Sequence, residues 1–225
     1  MRKPHDSLAA IGGLSWPSKM PCPSWSTPAE YCGVGGRLRE VAGSTCSECY
    51  AFTGCYLFAS TRAAMARRWR ILQAALATPA AAEEFAQHFA AVLNYYRRRP
   101  RGTKFRVFRW HDSGDVASVE HMAIIARVCE LTPAVRHWLP TREFHTVAQW
   151  QRAGGTAPSN LCVRYSAAMI DGRLPNLGAP ASYVHSGDRV AADASECRAY
   201  TRGGHCGGCR SCWRPEVPVV SYPLH

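Results

Sequence analysis

The middle of the chain alternates between strand-like and helix-like segments, and no other feature constrains its possible folds as much. Short apolar stretches at residues 104–110, 136–140 and 161–166 predict strands, and helical patterns at residues 118–131 and 144–153 lie between them. Such alternation is typical of βα units, in which parallel strands are joined by helices that cover the sheet. We therefore expect an α/β fold, a partial or complete βα barrel of parallel strands.

Further elements extend this pattern in both directions. Residues 59–77 and 80–98 have strong helix propensity and carry apolar residues at helical spacing. Short strands are expected at residues 182–185 and 217–222. Ser118 is expected to be the N-cap of the helix that follows it.

The length of 225 residues fits one domain that is large enough to bury its own core. Residues 1–56 are rich in Gly, Pro, Ser and Cys and show little periodicity, which predicts a loop-rich, cysteine-containing N-terminal segment organised by its ligands. Residues 191–225 are expected to form a second cysteine-containing segment. We expect the βα body, residues 57–190, to lie between them in a single domain, residues 1–225.

Most of the eleven cysteines fall into two groups near the ends of the chain. An odd number with pairs at CxxC spacing favours metal binding in a reducing compartment over a disulfide framework. In the N-terminal group, Cys46 and Cys49 are joined by either Cys32 or Cys55 as a third ligand, and Cys22 is a further candidate. Three thiolates leave one position of a metal centre open. A metal-free redox dithiol of Cys46 and Cys49 is an alternative.

The C-terminal group gives the sharper signal. Cys206, Cys209 and Cys212 form a CxxCxxC sequence, a spacing that lets three thiolates surround one face of a [4Fe-4S] cluster, and Cys197 can supply the fourth ligand. Four thiolates close a site, so this centre would support the fold. A zinc ion held by the same four thiolates is the alternative.

Polar side chains follow three successive predicted strands at the point where each strand ends. In parallel sheets and barrels the loops at these ends build the active site. The residues at these positions are His111, Asp112, Asp115, Thr141, Arg142, Glu143 and Ser166. We expect His111, Asp112 or Glu143 to transfer protons. Arg142 is expected to pair with an anion through both guanidinium arms. Asp115 could instead serve the dipole of the next helix.

The formal charge of +11 predicts a basic surface that attracts a polyanion such as DNA or RNA. Arginine makes up 24 of the 27 basic residues, a bias that a GC-rich genome would also produce. Such a genome does not account for the shortage of acidic residues. A nucleic acid or a nucleotide is therefore the expected partner.

No apolar stretch approaches the roughly 20 residues that a membrane span needs. The first residues also lack a convincing apolar signal core. We expect a soluble protein of the cytoplasm without a membrane partner.

Four short motifs in a fixed order resemble a known family. They are CSECYAFTGCYLF at residues 46–58, FRWHDSGDV at 108–116, HWLPTRE at 137–143 and CGGCRSCW at 206–213. Together they resemble the phage gene product 88 family and related proteins with a CxxCYA signature, over residues 20–225. That wider group looks like an offshoot of the radical S-adenosylmethionine enzymes, which use a βα barrel and a three-cysteine [4Fe-4S] cluster whose fourth iron binds the methionine end of the cofactor.

The resemblance implies roles for individual residues. Those implied to hold the reactive cluster are Cys32, Cys46 and Cys49. Those implied to hold an auxiliary cluster are Cys197, Cys206, Cys209 and Cys212. Ser113, Gly114 and Asp115 resemble the motif that binds the methionine amino group. The chain departs from that superfamily because it lacks the CxxxCxxC triad. The open iron could therefore bind the substrate directly as a Lewis acid.

The leading hypothesis is an iron-sulfur enzyme, radical S-adenosylmethionine-like and of isomerase or lyase type, that modifies or rearranges a nucleic-acid base or nucleotide. Phage proteins of this kind resemble parts of pathways that rebuild thymine in viral DNA, which would place the chain in the host cytoplasm. The alternative from a different class is a zinc-stabilised nucleic-acid-binding protein without catalysis.

Overall fold

A computed structural model describes residues 3–99, 106–187, 190 and 193–224. The α-helices of these residues are Pro4–Ala10 (α1), Gly33–Leu38 (α2), Ala59–Ala75 (α3), Pro79–Arg97 (α4), Val119–Leu131 (α5) and Phe144–Arg152 (α6). The strands are Ser24–Trp25 (β1), Val107–Trp110 (β2), Arg136–Thr141 (β3), Leu161–Ser166 (β4), Ala181–His185 (β5), Ser195–Glu196 (β6) and Val219–Pro223 (β7).

All seven described strands belong to one parallel sheet with the order β1-β2-β3-β4-β5-β7-β6. The predicted α/β fold with parallel strands is confirmed. Within the described residues the sheet is open, with β1 and β6 at its edges, so a partial rather than a complete barrel is compatible with the structure. The N-terminal segment contributes β1 to this sheet, and the C-terminal segment contributes β6 and β7.

The predicted elements of the βα body are confirmed to within a few residues. Strand β4 has the predicted bounds, and the hydroxyl of Ser118 caps α5 by accepting a hydrogen bond from the backbone N–H of His121 (3.2 Å). Strand β2 is shorter than predicted, and Lys104 and Phe105 lie outside the described residues. The helices α1 and α2 and the two-residue strands β1 and β6 were not predicted, because one or two turns or two residues carry too little periodicity to stand out.

The main core lies between one face of the sheet and the helices α3 to α6. Phe89 and Leu93 of α4 and Ile125 of α5 pack there against Phe108 and Trp110 of β2, and all five side chains are fully buried. Because alternate residues of a strand point to opposite faces, Arg109 of β2 and Trp138 of β3 lie on the other face. None of the described helices is long and apolar enough to cross a membrane.

The C-terminal segment is attached to that second face by the buried guanidinium of Arg164 in β4. One terminal nitrogen, Nη1, donates to the carbonyl oxygen of Ala181 (2.9 Å). The other, Nη2, lies 3.0–3.2 Å from the carbonyl oxygens of Ser211, Arg214 and Val217. One side chain therefore donates to four carbonyl groups and joins β4 to β5 and to the C-terminal segment.

We predict that Arg164→Met lowers the free energy of unfolding by about 2–4 kcal/mol, because it removes the hydrogen bonds that a buried charged group donates to four carbonyl groups. The control is Arg127→Met, which removes an arginine of α5 that pairs at the surface with Glu83 (2.9 Å) and Glu130 (3.0 Å). Its cost should stay below about 1 kcal/mol. Urea unfolding measures both, and equal costs would show that Arg164 does not anchor the segment.

Candidate functional site

A cavity of about 460 Å³ lies at the carboxyl ends of the strands. This volume is within the range of small-molecule sites. Its wall contains polar residues that follow β2 and β3, together with Ser166 at the end of β4 and Ser182 of β5. The structure thus places six of the predicted residues in the wall of one cavity: His111, Asp112, Asp115, Thr141, Arg142 and Ser166.

The thiol-bearing residues Cys32, Cys46 and Cys49 belong to the wall of the same cavity. Cys32 directly precedes α2, and Cys46 is buried. Cys49 directly precedes a short 3-10 helix, Tyr50–Phe52. Cys55 is exposed and does not contribute to the cavity wall. Of the two alternatives for a third ligand, Cys32 is therefore the one that the fold brings to the other two.

Gly35 gives Cys32 and Cys46 the room to approach each other. A Cβ atom at this position would lie 3.1 Å from Cβ of Cys32 and 3.5 Å from Sγ of Cys46. Any larger residue would project into the space between the two thiols. The glycine thus leaves a recess that a bound inorganic group could occupy.

Asp112 connects the loop that carries Cys46, Cys49 and Cys55, here called the cysteine loop, to the end of β2. Its carboxylate accepts a hydrogen bond from the hydroxyl of Tyr56 (2.9 Å) and another from Ser26 next to β1, and its carbonyl oxygen accepts one from Tyr50. Burial alone would raise the pKa of Asp112, but the charge of Arg109 and these hydrogen bonds lower it below the usual value. The carboxylate is therefore ionised and occupied, which suits a positioning role better than the predicted proton transfer.

Asp115 links the ends of β2 and β3. Its Oδ1 accepts a hydrogen bond from the hydroxyl of Thr141 (2.6 Å), and its Oδ2 accepts one from the backbone N–H of Arg142 (2.9 Å). Burial raises the pKa of Asp115 to about 6 in spite of these hydrogen bonds. The carboxyl group can thus change its protonation state near neutral pH, within electrostatic range of Cys32.

Arg142 and Glu143 both hold the N-terminal segment against the sheet. The guanidinium of Arg142 donates to the carbonyl oxygen of Ala167 (3.3 Å) and to the hydroxyl of Thr45, next to Cys46. The carboxylate of Glu143 accepts a hydrogen bond from the backbone N–H of Val34 (2.6 Å), in the first turn of α2. Arg142 is therefore engaged by the protein itself, and Glu143 does not belong to the cavity wall.

His111 is buried at the end of β2 in a left-handed backbone conformation (φ 54°), which is uncommon for a residue with a side chain. Neither ring nitrogen has a hydrogen-bond partner among the described residues. The ring packs edge-on against His121, with ring centres 5.2 Å apart. Burial lowers the pKa of His111 to about 4, so at neutral pH the ring is an uncharged base beside the cavity.

Gly114 is required by the packing of β2 against the chain that leaves β1. Its φ is +80°, and a Cβ atom here would lie 2.1 Å from Oγ1 of Thr27. The neighbouring Ser113 accepts a hydrogen bond at its carbonyl oxygen from the backbone N–H of Thr27 (3.2 Å), while its hydroxyl is buried without a partner among the described residues. Ser113 and Gly114 thus bring two strand ends together at the cavity wall.

Burial raises the pKa of the Cys32 and Cys46 thiols, so without a cation they hold their protons. Within the described ranges, no three His, Cys, Asp or Glu side chains surround one point closely enough to hold a single metal ion. Cys32, Cys46 and Cys49 lie in the wall of one cavity, beside the recess at Gly35.

The C-terminal cysteines lie away from this cavity, and none of them contributes to its wall. Cys212 packs with Trp213, Trp138 and Cys22 in a small apolar cluster on the second face of the sheet. Burial raises the pKa of both Cys212 and Cys22 to about 12. Cys22, a further candidate for the N-terminal group, is thus placed beside the C-terminal one.

The remaining C-terminal thiols gather around Cys206. Cys197 and Cys209 both lie within electrostatic range of it. The backbone N–H of Cys206 donates to the carbonyl oxygen of Lys19 (3.3 Å), which ties this loop to the N-terminal segment. The four predicted ligands are therefore neighbours at a site separate from the cavity.

Sequence reasoning missed several residues that shape the site. Tyr50 and Tyr56 belong to the cysteine motif, but only the fold shows that both hydroxyl groups reach Asp112. Arg109 lines the cavity, although within the strand it appeared to be one of many arginines. The available signal was weak: Arg109 lies between Phe108 and Trp110, so its side chain points away from the face on which those two apolar residues lie.

We predict that the unfolding free energy of the wild type falls relative to His111→Asn as the pH drops from about 6.5 to about 4. The pKa of His111 is about 4 in the folded state, below the value of 6.5 that an exposed histidine has in the unfolded chain. As the pH falls through this range, the unfolded state takes up a proton that the folded state does not, and the free energy of unfolding decreases by about 3 kcal/mol in total. Asparagine tolerates the left-handed backbone. Urea unfolding across this pH range measures the difference, and parallel curves would contradict the assignment.

We compared the chain with known proteins and with protein-family models. No significant match was found among curated proteins or among solved structures. The family model described as Gene product 88 matches residues 3–215 and so includes both cysteine groups and the strand ends of the cavity. The resemblance inferred from the four motifs is confirmed at this level, and the chain belongs to the Gene product 88 family.

Proposed function

We propose that this protein is an iron-sulfur enzyme, radical S-adenosylmethionine-like, that modifies or rearranges a nucleic-acid base or nucleotide. One observation carries the proposal: Cys32, Cys46 and Cys49 share a cavity wall with the polar carboxyl ends of a parallel sheet. Reactive groups and substrate-sized space therefore coincide at the position where such sheets place their active sites.

The proposed ligands of a [4Fe-4S] cluster at this site are Cys32, Cys46 and Cys49. Three thiolates leave one iron without a protein ligand, and that iron can take the amino and carboxylate groups of S-adenosylmethionine or bind the substrate. When bound, the cluster would supply electron transfer or Lewis-acid chemistry. Arg142 and Glu143 contribute by fixing the loops that carry the thiols.

Two groups at the cavity can move protons. Asp115 has a pKa raised to about 6 by burial and can therefore both donate and accept near neutral pH. His111 is an uncharged base whose ring nitrogens have no partner in the described part of the chain. Asp112, which is ionised and hydrogen-bonded, keeps the loop with Tyr50 in place.

A nucleic-acid base or nucleotide is the proposed substrate because charge and aromatic surface both suit it. The chain carries a formal charge of +11. The cavity wall includes Trp138, Tyr183 and Tyr222, on which a planar base can pack. Beside the cysteine loop, Phe58 is 62% exposed and offers a further stacking surface.

The C-terminal thiols Cys197, Cys206, Cys209 and Cys212 would hold an auxiliary cluster or a zinc ion. Their position outside the cavity suits a centre that stabilises the fold. This separation also favours one alternative function, a zinc-stabilised nucleic-acid-binding protein without catalysis, in which the basic surface alone binds the partner.

We predict that anaerobically reconstituted wild-type protein contains iron and acid-labile sulfide, and that Cys32→Ser, Cys46→Ser and Cys49→Ser each lose about four irons per chain. Serine preserves the size of the side chain but is a poor ligand for iron. The matched control is Cys55→Ser, which changes an exposed thiol of the same segment and should keep the full iron content.

Two results would overturn the proposal. Wild-type protein that contains only zinc and no sulfide would favour the binding protein. Equal iron loss in Cys55→Ser and Cys32→Ser would show that the cavity does not define the ligand set. Elemental analysis combined with the visible absorption spectrum distinguishes these outcomes.

A further inference from the structure

Arg109 occupies an unusual position between the two cysteine groups. It lies in β2 on the face of the sheet opposite the main core, and its side chain contributes to the wall of the cavity. A cation in this position faces the space in which a substrate would lie. Sequence patterns assigned it no role.

The guanidinium of Arg109 is held by groups that carry no negative charge. Its carbon atom lies 4.7 Å from the ring centre of Trp138, and its two terminal nitrogens donate to the hydroxyl of Tyr50 (3.1 Å) and to the sulfur of Met20 (3.3 Å). Its Nε–H is buried and has no partner within residues 3–99, 106–187, 190 and 193–224. These contacts orient the planar fork without neutralising it.

In the described part of the chain, Arg109 forms no ion pair with a carboxylate within 4.0 Å. Asp112 is near enough for the two charges to stabilise each other, but its carboxylate does not contact the guanidinium and accepts hydrogen bonds from Ser26 and Tyr56 instead. The guanidinium therefore keeps unused hydrogen-bonding capacity, which an anion in the cavity could take up.

We propose that Arg109 is the anion-binding residue of this cavity and that its ligand is the phosphate group of a nucleotide. The guanidinium fork matches phosphate geometry, and the ring of Trp138 keeps it from rotating. The aromatic wall beyond it, which includes Tyr222, can pack against the base or sugar. The inference rests on the proposed substrate class but not on the presence of a cluster.

Binding of thymidine 5′-monophosphate, measured by calorimetry at fixed salt on the full chain, tests this assignment, with thymidine as the uncharged probe. We expect Arg109→Gln to weaken nucleotide binding about 10- to 100-fold, which corresponds to the loss of a charge-assisted hydrogen-bond pair. Thymidine should bind more weakly than the nucleotide to the wild type and should distinguish little between wild type and variant.

Arg127→Gln is the matched control, because it removes the same charge from an arginine on the outer surface of α5. It should change nucleotide affinity by no more than about two-fold, since exposed charges are screened by salt. Arg109→Lys keeps the charge but loses the fork, so its affinity should lie between those of wild type and Arg109→Gln.

Several outcomes would overturn the assignment: no binding to the wild type, equal affinities for Arg109→Gln and Arg127→Gln, or equal affinities of the wild type for nucleotide and nucleoside. Unchanged nucleotide binding with a lower metal content would instead assign Arg109 to the thiolates near Cys22 and Cys206. If Arg109→Gln does not fold, a competition measurement on the wild type replaces it, in which inorganic phosphate must displace the nucleotide. Iron-free protein that binds the nucleotide through Arg109 would refute only the iron-sulfur proposal.

Discussion

The hydrogen bonds around Asp112 are the interaction on which the rest of the site depends. Its buried carboxylate binds Ser26 and Tyr56, and its carbonyl oxygen binds Tyr50. These contacts join the end of β1, the end of β2 and the cysteine loop at one point. These hydrogen bonds position the loop, and Cys46 and Cys49 lie at the cavity wall.

The two cysteine groups are built by different means. The N-terminal group is attached to strand ends by polar contacts from Asp112, Arg142 and Glu143, at the edge of a cavity. The C-terminal group lies outside the cavity wall, on a segment held to the sheet by hydrogen bonds from Arg164 to its carbonyl groups. An open, reactive centre and a closed, supporting one are the roles that this difference favours.

Much of the fold could be predicted from the sequence, because strong periodicity over a dozen residues survives into the structure. The helix α5 with its Ser118 cap and the strand β4 are examples. The strand β1 could not be predicted, since two residues carry no period and its place depends on pairing with Arg109 and Trp110.

The site was only partly predictable for a related reason. The sequence places His111 and Asp115 at strand ends. It does not reveal the neighbouring groups from other elements that determine the chemistry of their side chains. Asp112 was one of three residues, with His111 and Glu143, expected to transfer protons, and only the fold shows the hydrogen bonds that its carboxylate accepts. The choice between Cys32 and Cys55 needed the fold, because both are within reach of Cys46 along the chain.

We propose that the cavity at the strand ends holds an iron-sulfur cluster with one open position. Electron paramagnetic resonance of the dithionite-reduced protein, recorded with and without S-adenosylmethionine, tests this proposal. We expect a cluster signal that changes when S-adenosylmethionine is added and a Cys46→Ser variant that shows no such change. A reduced wild-type protein without a cluster signal, or with one that S-adenosylmethionine leaves unchanged, would contradict it.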